Sequence, residues 1–250
     1  MENLVLDKYR DSNIILNKEL HRYSLKDDNR AEFISVTTLI DQYFDPFNGP
    51  LIASKLVNTH PRYSHMSVDD LLSVWKQTQI HGNNVHNEIE EHILHNKKLT
   101  EPKAKEAMLW LNTYIETISN DTSFKIGSEN ILYSKELKIA GSIDIILKCK
   151  NTNKITLIDW KTSKSIPTRS FNGKMGTHPI TSTLEDCKYI KYSIQLNMYA
   201  YILEKYYGYT VETLIIAQLR DSNVETYLIP KMDDYINKIL ENRRSKLCLI

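Results

Sequence analysis

The sequence predicts an α/β fold: a central mixed β-sheet flanked by helices, with a helical elaboration on its N-terminal side. Three observations predict it. Before residue 120, apolar residues recur at helical spacing, as in Val85, Ile89 and Ile93 and again in Ala104, Met108, Leu111 and Ile115. Residues 125–161 then carry short apolar runs separated by polar turns, the pattern of strands. A further long stripe (Ile190, Ile194, Met198, Ile202) leads into two more strand-like runs. Helices, three strands, a helix and strands again is the order of a sheet covered by helices. At 250 residues the chain can bury the core of one domain. Its expected parts are an N-terminal hairpin extension over 1–34, a helical part over 35–120, a core over 121–229 and a C-terminal helix over 230–250.

Taken in order, Asn13–Leu16 and His21–Leu25 read as a small hairpin. Ser35 or Thr37 can cap a short helix that places Leu39, Ile40 and Phe44 on one side. Asp45-Pro-Phe-Asn-Gly-Pro50 is a turn, and Leu51–Asn58 a helix. Ser67 is an N-cap, with Asp69 and Asp70 in the first turn where acids favour the helix dipole. Trp75 falls on the apolar side of that helix. Gly82 permits either close packing or a break before a helix over about Asn83–His95. Glu101–Ser119 is amphipathic. Lys125–Ser134 and Leu137–Lys148 are consecutive strands, and Lys150–Lys154 is a polar turn into a third. Ser165–Asp186 has no periodicity. With Lys164 before it and Arg169, Lys174 and His178 within it, this connection can lie over a phosphate backbone or form a surface loop. Thr183 opens a helix to about Tyr207 by the N-cap rule. Val211–Leu219 and Glu225–Ile229 close the sheet, and Met232–Leu247 is the last helix.

The chemistry concentrates in the hairpin from Gly141 to Lys161. Asp144 sits in its first strand. Asp159 and Lys161 end the second, two residues apart and so on one face. A carboxylate on a half-buried sheet is costly unless paired. An Asp-x-Lys alone is commonly a salt-bridged hairpin. Two carboxylates converging near a lysine also meet the needs of a divalent cation: hard oxygen ligands, with a fixed positive charge beside them. Upstream, His86 and Glu90 are four apart on one helix face, beside an apolar stripe. Glu90 is either a further, water-mediated ligand or an exposed helix acid. Glu129 is a strand acid just before the hairpin.

Several classes are excluded. His86 and His92 are six apart, not four, so the helix is not that of a zinc metalloprotease. Cys149, Cys187 and Cys248 are scattered, which argues against a disulfide framework, a zinc ribbon or an iron–sulfur cluster, and fits an intracellular, reducing compartment. No signal-peptide pattern and no apolar run near membrane-spanning length is present, so no membrane association is expected. Lys+Arg number 32 against 31 Asp+Glu, so any basic surface must be local.

Gly141-Ser-Ile-Asp144, fourteen intervening residues, then Asp159-Trp-Lys161-Thr-Ser-Lys164 resemble the core of the PD-(D/E)XK nuclease superfamily. The resemblance is nearest to its RecB-like exonuclease branch, with its mitochondrial genome-maintenance and viral or phage members. That branch also has a helical histidine upstream and a Gln-x-x-x-Tyr helix downstream, matched here by His86 and by Gln195-Leu-Asn-Met-Tyr199. The resemblance covers residues 35–220. It implies a restriction-endonuclease-like core and metal-dependent hydrolysis of DNA phosphodiesters, from ends and on single strands, in DNA replication, repair or recombination. It implies Mg²⁺ or Mn²⁺ held by Asp144, Asp159, His86 and the Trp160 backbone carbonyl, with Glu129 near the metal centre. Lys161 would orient the attacking water or stabilise the transition state. Gln195 and Tyr199 would contact DNA, joined by Lys164, and a helicase or replication partner would fit such a role. An endonuclease of the same superfamily and a non-catalytic DNA-binding scaffold subunit stay open alongside.

Overall fold

The computed structural model describes residues 14–17, 20, 22–28, 32–118 and 123–248. The chain opens with a hairpin of β1 (Ile14–Asn17) and β2 (Arg22–Leu25), then β3 (Ile34–Ser35) and α1 (Val36–Asp41). Ser35 is the cap of α1, its hydroxyl accepting from the Thr38 N–H. Asn13 and His21 of the expected hairpin, and Ser119 of the fourth helix, lie outside the described residues. Next come α2 (Gly49–Thr59), α3 (Val68–His95) and α4 (Pro102–Ile118). The strands β4 (Phe124–Ser134), β5 (Ile139–Cys149) and β6 (Lys154–Lys161) follow. The chain ends with α5 (Lys188–Ile202), β7 (Thr210–Leu219), β8 (Val224–Leu228) and α6 (Asp233–Leu247).

The large sheet is mixed and is built around β5. One edge of β5 pairs antiparallel with β4 along its whole length. The other edge is shared: β3 runs parallel to Ile139 and Ala140, and β6 antiparallel to Ile145–Lys148. β7 lies parallel to β6, and β8 closes the sheet antiparallel to β7. Helices cover both faces. Val85 and Ile89 of α3 and Ala107 and Leu111 of α4 pack with Ile145, Ile158 and Trp160. Leu39 of α1, Ile194 and Met198 of α5 and Ile239 of α6 pack with Ile146, Leu157 and Ile216 on the opposite face. This is the α/β core with N-terminal elaboration that the sequence predicts. Among the described residues no helix is long and apolar enough to cross a membrane, and the three cysteines are free.

Two elements differ from expectation. α3 is one helix of 28 residues that runs straight through Gly82. The glycine serves close packing: a Cβ there would lie 2.7 Å from Thr162 Oγ1, just past β6. Its N-terminus carries a full capping box between Ser67 and Asp70. The other difference is the start of α5, at Lys188 instead of Thr183. The acids after Thr183 are drawn into the preceding loop. Glu185 accepts from Arg169 and the Ser170 N–H, Asp186 pairs with Lys191 at 2.8 Å and Lys174 at 3.7 Å, and Met175 bridges to Glu185. The long polar connection is thus held down by its own ion pairs, and its Thr181 hydroxyl is buried on the Tyr43 carbonyl.

Candidate metal and phosphodiester site

The site forms where β5 and β6 part. Their ladder ends at Ile145↔Ile158, so Asp144 and Asp159 are the first residues beyond it. A side chain replaces the next backbone contact: Asp144 Oδ2 accepts the Trp160 N–H at 2.7 Å. On the other edge of β5, Ser128↔Ile145 and Asn130↔Ile143 bracket Glu129, setting it directly across from Asp144. Glu129 has φ 49°, a left-handed conformation inside a strand that costs a non-glycine residue roughly 1–3 kcal/mol. That turn carries its carboxylate to the histidine that α3 supplies. His86 Nδ1 lies 3.5 Å from Asp144 Oδ1 and 3.8 Å from Glu129 Oε1. Ser142 donates to the other Glu129 oxygen at 2.7 Å. One ligand atom from each of His86, Glu129 and Asp144 falls within 4.8 Å of the other two.

The donor set fits a divalent cation. Two carboxylates face each other across a ladder, an arrangement that repels unless positive charge lies between them. In the chain alone the His86 proton supplies part of that charge. Burial works to lower its pKa, but Asp144 and Glu129 outweigh it and push it up to about 10. Asp144 is held below its ordinary range against its own burial, by His86 and then Lys161. Asp159 is pushed up to about 6, first by burial and then by the Asp144 charge, against the pull of Lys161. Three carboxylates thus share two basic side chains, His86 and Lys161.

Lys161 closes the other side. Its Nζ is 2.6 Å from Asp159 Oδ2 and sits over the Tyr192 ring, 4.3 Å from the centroid. Burial works to lower its pKa, but the Asp159 and Asp144 charges outweigh it and raise it, so the ammonium stays protonated.

The structure brings His86, Glu129 and Asp144 into one group and sets Asp159 and Lys161 beside it. Glu90, one turn beyond His86, is half-buried on α3 and is not one of the three donors. Trp160 contributes its backbone N–H, and its indole is buried edge-on to Trp110. Lys164 is exposed just beyond β6. Gln195 and Tyr199 are placed differently from the expectation of DNA contact. Tyr199 is 3% exposed and accepts from Gln195 Nε2 at 3.0 Å. Its enclosed ring has no free face for a base. It lies on β5 at Gly141, where a Cβ would be 2.5 Å from its Cε1. The Gly-x-x-Asp and Gln-x-x-x-Tyr motifs are therefore two halves of one packing contact. Gly141→Ala should lower stability by roughly 1–3 kcal/mol in urea unfolding, because a pinned ring cannot step aside. A loss under about 0.5 kcal/mol would show that it can.

Residues outside the motifs also wall the site. Tyr192 lies three residues before Gln195 on the same side of α5, a spacing visible in the sequence. Trp75 shares a cleft of about 450 Å³ with Gly82, His86, Lys161, Lys188 and Tyr192.

A splayed pair of acid-bearing strands in a mixed sheet, with a helical histidine against them, defines a PD-(D/E)XK-like fold of the nuclease superfamily. Residues 57–249 match the family described as "PDDEXK-like domain of unknown function (DUF3799)", and the chain belongs to it. Among solved structures, the chain is similar to SSO0001, with 16% identity and a TM-score of 0.38, over 87% of this chain and 76% of that one. It is also similar to a candidate exonuclease from Eubacterium rectale, with 14% identity and a TM-score of 0.39, over 88% of this chain and 80% of that one. No curated protein matches it.

Proposed function

We propose that this chain is one nuclease domain that hydrolyses DNA phosphodiesters with a bound divalent cation, as an exonuclease of RecB-like type. The observation that carries the reading is the His86–Glu129–Asp144 donor group set beside the Asp159–Lys161 pair. His86, Glu129 and Asp144 would hold the cation, with Asp159 and the Trp160 carbonyl completing its protein ligands. When bound, such a cation supplies Lewis-acid polarisation of the phosphate and lowers the pKa of water.

The remaining work falls to the chain. Asp144 is oriented by the Trp160 N–H, and Glu129 by Ser142, so neither carboxylate needs to reorganise. Lys161 is fixed between Asp159 and the Tyr192 ring and presents a permanent positive charge to a phosphate in the cleft. It acts as an electrostatic partner and not as a base, because its neighbours keep it protonated. Gln195 and Tyr199 position β5 at Gly141, three residues before Asp144. Lys164, exposed beyond the cleft floor, meets the backbone of the bound strand.

End-labelled linear DNA and a closed circle, each with Mn²⁺ or Mg²⁺, test the reading. Linear DNA digested from an end while circles survive supports an exonuclease. Circles cut at a similar rate overturn that branch of the reading.

The cation should also oppose a pH trend in stability. His86, raised from 6.5 to about 10, contributes stability that is fully present below 6.5 and lost as pH rises through about 10. Asp159, raised from 3.8 to about 6, carries a penalty that is absent below 3.8 and complete above about 6. Both make the metal-free chain less stable as pH rises. A cation replaces the His86 proton, so Mn²⁺ should raise the Tm more at about pH 8.5 than at about pH 6. Equal increments at both pH values would contradict this.

A further inference from the structure

The cleft beside the site has a lining unlike the rest of the chain. Acids and bases are nearly balanced overall, at 31 and 32. Yet no aspartate or glutamate lines this cleft, while Lys161, Lys188 and His86 do. Between them stand neutral hydrogen-bonding groups, among them Gln79, Asn83 and Ser163. Lys188 is exposed at the start of α5 and has no carboxylate partner among the described residues, so its charge is left for a ligand. His86 and Lys161 are already matched by Asp144, Glu129 and Asp159, so the cation this lining leaves for an anion is Lys188.

The far end of the cleft is aromatic. Trp75 is half-exposed in it, with the Phe47 ring 5.8 Å away and tilted by 53°. Phe47 itself is 73% exposed. Because α3 is continuous through Gly82, Trp75, Gln79, Gly82 and His86 fall on one side of it. Eleven residues make three turns, so Trp75 stands about 16 Å along the helix from His86. The stripe therefore runs from an open aromatic end to the metal donors. Lys188 extends the path: it also lines a second cavity with Phe171, which is 81% exposed. Exposed rings on either side of an unpaired cation match a ligand that alternates planar bases with phosphates. The ring faces can stack only on bases whose own faces are free, which a paired duplex does not offer.

We infer that this cleft is a single-strand DNA groove, in which Trp75 with Phe47 stacks an unpaired base and Lys188 meets a backbone phosphate, leading the strand to the His86 end. The inference rests on the phosphodiesterase reading and names specificity residues for it. Neither aromatic belongs to the motifs that define the site.

The test is binding of a fluorescent oligothymidylate by anisotropy in EDTA, so that no cleavage intervenes. Trp75→Ala should weaken single-strand binding about tenfold, and Trp75→Phe, which keeps a ring, should restore most of it. Lys188→Ala should weaken binding and flatten its salt dependence by about one phosphate contact. Affinity for blunt duplex should not depend on Trp75. Thermal melts confirm that each variant is folded. An unchanged single-strand Kd in a folded Trp75→Ala, or an equal loss for duplex, overturns the groove even if the wild-type protein cleaves DNA. Conversely, ring-dependent single-strand binding by a protein that cleaves no DNA in any cation supports the groove and overturns the hydrolytic reading.

Discussion

Asp144→Asn is expected to lower DNA cleavage about a thousandfold or more while leaving DNA binding within about threefold. Both oxygens of Asp144 are committed. One accepts the Trp160 N–H at 2.7 Å and the other faces His86 at 3.5 Å. Asparagine keeps the shape, and its carbonyl can still accept from Trp160, so β5 and β6 should stay parted as they are. The amide then points at His86 and at the cation position, and a negative ligand becomes a neutral donor. His86 also loses the larger of the charges that raise its pKa. The substitution thus removes the chemistry without removing the fold. Cleavage of a labelled oligonucleotide and anisotropy in EDTA read the two quantities separately. A variant cleaving within about tenfold of wild type would remove Asp144 from the mechanism.

Lys161→Ala should cost about a hundred- to a thousandfold in cleavage, with a clear loss of stability. The lysine is the ion-pair partner of a carboxylate that is 4% exposed. Removing one member of a buried pair costs about 3–5 kcal/mol if the other stays charged. Asp159 can lessen that cost by taking up a proton, since its pKa is already pushed up to about 6 and Lys161 is the charge that restrains it. The stability deficit should therefore be smaller at about pH 5 than at about pH 8, the sign expected when a buried acid gains a proton in the folded state. Lys161→Arg should not rescue cleavage, because the wider guanidinium must fit between Asp159 and the Tyr192 ring. Full activity in Lys161→Ala would mean that the fixed charge plays no part.

The sheet-forming half of the chain was legible because its signals are local. Apolar runs and the polar turn between them place β5 and β6 within two residues of their observed ends. The two misread boundaries were settled by contacts distant in sequence. Thr183 carries a sound N-cap signal, but Glu185 and Asp186 are held by Arg169, Lys174 and Lys191, and the helix starts at Lys188 instead. Gly82 reads equally as a hinge or a packing point until Thr162 is seen against it. That ambiguity also hid the cleft: Trp75 and His86 share a face only if one helix runs between them. At the site, the acid-acid-lysine set stood out in the hairpin, yet the position of Glu129 across from Asp144 depends on strand register and a left-handed backbone, neither of which its sequence context signals. The Gln195–Tyr199 pair was visible as a motif, but its burial on Gly141 is a tertiary fact.

The central claim is that His86, Glu129 and Asp144 hold the cation on which hydrolysis depends. Calorimetric titration of Mn²⁺ into the wild-type chain and Glu129→Gln, with cleavage measured in the same samples, tests it most directly. The account predicts saturable binding in the wild type, binding about tenfold or more weaker in the variant, and cleavage that follows occupancy and stops in EDTA. Cleavage that persists in EDTA, or Mn²⁺ binding that Glu129→Gln leaves unchanged, would contradict it.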